Sequence, residues 1–151
     1  MKPDKSLIAY CGLYCGACSF KVAFDTNDRK HLATLPDQMA ACAAGATAPL
    51  EPCAGCKRGG GCDCGIKPCA QSRKLSHCGL CADFPCARIT AFNNDGIPHH
   101  GAVLENLTAL KEMGEENWLA AQEKRWHCAC GARLSWYTAE CPKCGTKVSG
   151  T

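Results

Sequence analysis

Sixteen cysteines stand in this 151-residue chain, spaced as metal clamps are. The first three, Cys11, Cys15 and Cys18 in CGLYCGAC, fall at C-x3-C-x2-C. Thiolates at that spacing suit a structural zinc ion. They equally suit an iron–sulfur cluster with one open iron, because soft sulfur ligands serve both. The fourth position would fall to Cys42, to His31 or His77, or to a later cysteine. Left unfilled, it would make a catalytic zinc or an exposed cluster iron. Radical enzymes use this spacing too, but the alternating strand–helix pattern they need does not follow the motif.

The sharpest pattern lies near the C-terminus. Cys128-x-Cys130-Gly131 and Cys141-Pro142-Lys143-Cys144-Gly145 are two close pairs, each followed by glycine. Tight turns of this kind aim backbone amides at the sulfurs, and four thiolates then close a tetrahedral zinc site with no vacancy. The tract between the pairs, ARLSWYTAE, predicts a short β-hairpin carrying Trp136 and Tyr137. Together these make a zinc ribbon. Lys124, Arg125, Arg133, Lys143 and Lys147 flank it, against Glu140 and a site of net charge −2. Nucleic-acid contact, chiefly to phosphate, is therefore possible but not favoured.

The middle of the chain is dense: Cys53-x2-Cys56, Cys62-x-Cys64, Cys69, Cys78-x2-Cys81 and Cys86. These eight thiols would fill two tetrahedral sites, with their grouping left open. Cys69 and Cys86 are expected at helix N-termini, where the dipole favours thiolate. A redox role for Cys78 and Cys81 lacks the strand–CxxC–helix setting such a pair needs. His99 and His100, beside DGIP, read as surface or capping residues rather than acid–base groups. No catalytic triad, HExxH or dinucleotide-binding glycine motif is visible.

Composition explains why metal is needed. Leu, Ile, Val and Phe make up about 15% of the chain, below the ~20% under which chains struggle to build a core. An apparent ~10–16 kcal/mol per structural zinc rivals the ~5–15 kcal/mol stability of an ordinary domain. Disulfides could also staple so short a chain. The clamp spacing and an expected cytoplasmic location, read from an N-terminus without a signal-peptide pattern, favour metal. The formal charge of +3 counts every thiol as neutral. Sixteen thiolates holding four divalent ions would change it by −8, to −5, which removes a basic surface as an argument for nucleic acid.

The elements that must position these sulfurs are short. A helix is expected to follow Cys18 and stop at DTND, and a second to begin near Asp28. A third follows Pro36, with Leu35, Met39 and Cys42 at helical spacing and Cys42 a core thiol. Residues 45–69 read as loop, 69–75 and 85–93 as short helices. Val103, Leu107 and Leu110 form a helical stripe that stops at Gly114, and EENWLAAQEKRW begins a further helix. Two parts follow: residues 1–122, a cysteine-rich helical metal-binding domain, and residues 123–151, the zinc ribbon.

CGLYCGAC, CAGC, CGIKPCA, HCGLC and ADFPC stand in an order that resembles the bacterial and archaeal domain-of-unknown-function 3795 family. In that family they run CGLxCxxC, CxGC, CxIRxCA, CxxC and DxPC. The ribbon resembles a tail that some members carry. Lys67 replaces the usual arginine, and Cys42 lies outside the pattern. The resemblance implies metal binding and no established activity.

The fold expected is thus small, metal-stapled and mainly α, with irregular cysteine-rich loops and a C-terminal ribbon. Three to four zinc ions would be held by Cys128, Cys130, Cys141 and Cys144, and by Cys11, Cys15, Cys18, Cys53, Cys56, Cys62, Cys64, Cys69, Cys78, Cys81 and Cys86. An iron–sulfur cluster at Cys11, Cys15 and Cys18 is the alternative, and metal handling or thiol redox the second. The pattern points to an interaction module with a protein partner, away from membranes, rather than to a self-contained enzyme.

Overall fold

The computed structural model describes residues 2–36, 50–59 and 64–148. Cys42, Cys62 and the helix expected after Pro36 lie outside them. The described residues form six α-helices joined by 3-10 turns and irregular loops: α1 Ser19–Thr26, α2 Lys30–Ala33, α3 Ile66–Ser72, α4 Ala87–Asn93, α5 Val103–Met113 and α6 Glu115–Arg125. None of these helices is long and apolar enough to cross a membrane.

α5 organises the molecule. Its stripe of Val103, Leu107 and Leu110 is buried, as the helical spacing predicts. Around that face lie α4, α6 and the 3-10 turns Cys78–Leu80 and Pro98–Ala102. α6 begins with Glu115 and Glu116 and ends with Lys124 and Arg125, so charge complements its dipole at both ends. Trp118 and Leu119 of α6 join the core, with the Trp118 ring edge-on to Tyr14 at 6.0 Å.

The opening motif folds as a closed loop. Ile8 bridges Tyr14, the Ala9 amide donates to the Leu13 carbonyl, and Gly12 turns the chain at φ +85°. The loop is pressed onto α5, since a Cβ at Gly12 would stand 2.6 Å from Leu107 Cγ. After it come a 3-10 turn at Cys15–Ala17 and α1, which Cys18 caps and Asn27 ends in the left-handed region.

Two expectations are corrected. Cys69 is not at a helix start: α3 begins at Ile66, which puts Cys69 fourth in the helix. Pro68 falls in the first turn, where its missing N–H costs nothing, and so permits the earlier start. Cys86 does cap α4 as expected. The hairpin between the ribbon's cysteine pairs is not formed either. Its amides go elsewhere: Leu134 donates to the Trp126 carbonyl, Trp136 to Ala17 and Thr138 to Ser135. What pairing there is lies at each turn, as isolated bridges joining His127 to Arg133 and Glu140 to Lys147.

The segment that carries Cys128 to Cys144 packs closely on the helices. Trp126, Leu134 and Cys141 share one buried cluster with Ile8, Leu107 and Trp118. Arg133 reaches Asp25 at 2.7 Å and donates to the Gly16 carbonyl at 2.7 Å. Ser135 meets His31 Nδ1 at 3.0 Å in a buried contact.

Candidate metal centres

Two turns build the C-terminal site. In each, a glycine with positive φ (Gly131 at +85°, Gly145 at +72°) lets the chain reverse immediately after a cysteine. The Gly131 amide closes on the Cys128 carbonyl and that of Gly145 on Cys141. The four sulfurs of Cys128, Cys130, Cys141 and Cys144 all lie within 4.8 Å of one another. Two edges of the set, Cys128 to Cys144 and Cys130 to Cys141, measure 3.6 Å. A tetrahedron of ~2.3 Å zinc–sulfur bonds has sulfur–sulfur edges of about 3.8 Å. The set has the size of one metal ion.

The surroundings favour thiolate at Cys141 and Cys144. Thr146 offers its hydroxyl to Cys144 at 3.1 Å. That bond, the Thr146 amide and the neighbouring thiols bring the Cys144 thiol down to about 6. Amides of Cys144 and Lys143 lower Cys141 in the same way. Cys128 takes an amide bond from Cys130, yet sharing protons with Cys144 and its other neighbours pushes it up to about 11. Four thiolates this close would repel one another unless a cation lay between them, so the set could hold a metal ion.

Among the described residues no other set of three His, Cys, Asp or Glu ligand atoms is drawn within 4.8 Å. The remaining cysteines form two looser groups. In the first, Cys15 is hydrogen-bonded to Cys56, and that bond, with burial, raises the Cys56 thiol. Burial also raises Cys11, with Cys56 and Cys64 adding to it. Burial pushes Cys18 up to about 12, and Cys53 and Cys56 are the thiols nearest in effect. The opening motif therefore faces Cys53, Cys56 and Cys64. The Cys53 amide donates to the Phe20 carbonyl, which ties Cys53 to α1. His31, a candidate fourth ligand, has its Nδ1 engaged with Ser135.

The second group surrounds a cavity of about 50 Å³ lined by Cys69, Cys78, Cys81 and Cys86. Cys78 is pushed up to about 11 by burial first and then by Cys86, Cys69 and Cys81. Its turn repeats the one in the opening motif. Cys15-Gly-Ala-Cys18 and Cys78-Gly-Leu-Cys81 both form 3-10 turns, and in each the second cysteine's amide donates to the first one's carbonyl at 3.1 Å.

The order of these cysteines matches a known pattern. A family profile described as "Protein of unknown function (DUF3795)" matches residues 7–91, more than half the chain. The chain belongs to that family. The DUF3795 region carries both looser groups, and the Cys128–Cys144 site lies beyond it. No curated protein and no solved structure matches the chain.

One feature of the fold escaped sequence reasoning. A cleft of about 140 Å³ runs between α5, α6 and the C-terminal segment, lined by Tyr14, His99, Arg125, Trp126, Trp136 and Tyr137 among others. His99 stacks on Trp136 at 4.1 Å, and its Nδ1 lies 2.7 Å from the Tyr137 hydroxyl. Burial first, and then His100, bring His99 down to about 3, so its ring is neutral. His100 is buried against Phe92 and bonded to Asp95 at 2.7 Å. His100 is buried rather than the surface or capping residue expected beside DGIP, and His99 is half-buried in the cleft. The cleft joins residues over a hundred positions apart, so no local pattern could mark it.

Proposed function

We propose that this chain is a zinc-binding protein that acts through contact with a partner protein. The observation that carries this reading is the Cys128–Cys130–Cys141–Cys144 set, with its 3.6 Å sulfur–sulfur edges. Four thiolates saturate zinc and leave no position for a substrate, so the ion holds structure rather than doing chemistry. What it holds is one wall of the aromatic cleft, since Trp136 and Tyr137 lie between the two turns. Aromatic rings beside an arginine are typical anchors of protein interfaces. The ribbon's positive charges support a protein partner over nucleic acid. Arg133 is spent on Asp25 and Gly16, and Arg125 lies over the Trp126 ring at 5.2 Å. A reducing, cytoplasmic setting would keep the thiols available for metal.

X-ray absorption at the zinc edge tests the reading. A shell of four sulfurs at ~2.3 Å is expected. An oxygen in the shell that exchanges with added anions would make the site open and catalytic, against this proposal.

A further inference from the structure

The cavity ringed by Cys69, Cys78, Cys81 and Cys86 differs in kind from the C-terminal site. At about 50 Å³ it has room for several water-sized spheres of ~10–15 Å³ each. One zinc ion held at ~2.3 Å by four sulfurs would draw those sulfurs into edges of about 3.8 Å. No three of these four come within 4.8 Å of one another, whereas the C-terminal four do. A ring of four thiols around a space too large for one ion fits a multi-atom core, in which the thiolates sit on different metal atoms.

The rest of the lining agrees. Ile66, Leu75, Phe84 and Ile89 make much of the wall apolar, with the exposed Arg73, Asp83 and Arg88 at its open side. Arg73 donates from Nη1 to Cys81 Sγ at 3.1 Å and is held in place by Asp83 at 2.7 Å. A hydrogen bond to a ligand sulfur is one of the levers that set a cluster's potential. Each ligand is also well supported. Cys69 rides on α3 and Cys86 caps α4. The Cys78 amide is anchored on the Tyr10 carbonyl at 2.8 Å.

We infer that Cys69, Cys78, Cys81 and Cys86 hold an iron–sulfur cluster, distinct from the zinc of the C-terminal turns. This goes beyond the zinc reading, and the two stand or fall separately because iron and zinc are counted separately.

The full chain is purified anaerobically, supplied with ferrous iron and sulfide, and assayed for iron, acid-labile sulfide, zinc and visible absorption. Iron and sulfide in equal amounts, about two or four of each according to cluster type, are expected beside one zinc. Cys86→Ser should lower bound iron at least fivefold and keep that zinc, whereas Cys128→Ser should lose the zinc and keep the iron. A folded, iron-free protein whose extra zinc disappears in Cys86→Ser would overturn the inference. So would iron that survives Cys86→Ser and vanishes in Cys11→Ser. Should Cys86→Ser fail to fold, Arg73→Gln on the exposed surface decides. It should keep the iron and lower the cluster's reduction potential. An unmoved potential would place the cluster elsewhere.

Discussion

At the residue scale, two kinds of position carry the account: the sulfurs and the glycines that let the chain turn around them. Gly12 shows the second most clearly. Its φ of +85° belongs to glycine, and a Cβ there would meet Leu107 Cγ at 2.6 Å and Cδ2 at 2.7 Å. Gly12→Ala should therefore destabilise the protein by about 2–5 kcal/mol, combining left-handed strain with overpacking. Urea unfolding of the metal-loaded variant would measure it, and a midpoint equal to wild type would show that the loop is not pressed on α5. The Cys-Gly pairs at 130–131 and 144–145 were legible because the turn they need is local. The roles of His31 and His99 were not. His31 is spent on Ser135, 104 residues away, and His99 on Trp136 and Tyr137. Such partners are set by how elements pack and leave no mark in the residues next to them.

At the scale of elements, the helices whose apolar periodicity is strong were readable, and the irregular stretches were not. Val103, Leu107 and Leu110 announce α5, and Gly114 its end. The tract between the two cysteine pairs does not form the expected hairpin, because amides within it are taken by Trp126 and Ala17. Likewise the ring of Cys69, Cys78, Cys81 and Cys86 draws on α3, a 3-10 turn and the cap of α4. Spacing alone allows many groupings of these thiols. The ribbon's own dependence on metal is tested by Cys128→Ser. That variant should release about one zinc and lose NMR dispersion for residues 127–148 while α1 to α5 stay folded. An unchanged zinc content would remove Cys128 from the ligand set. Collapse of the whole spectrum would mean that the contacts of Arg133 and Ser135 make the two parts one unit.

For the molecule as a whole, cysteine substitutes for bulk. The buried cluster is small and includes Cys11, Cys15 and Cys141 among its apolar residues. Leu, Ile, Val and Phe together contribute about 15% of the sequence, so burial alone gives little margin over chain entropy. Metal–thiolate bonds supply free energy on the scale of a domain's whole stability, roughly 10 kcal/mol or more per structural site. They would fix the loops that connect the short helices. The family pattern spans residues 7–91, and the Cys128–Cys144 set, which could hold a metal ion, lies outside it.

The claim that metal holds this fold together is tested most directly by stepwise chelation under anaerobic, reducing conditions, with released metal and helical ellipticity followed in the same sample. Helical signal should fall in step with the metal released and be largely lost when the last ion leaves. A metal-free chain that keeps its helical signal and still melts cooperatively would contradict the account.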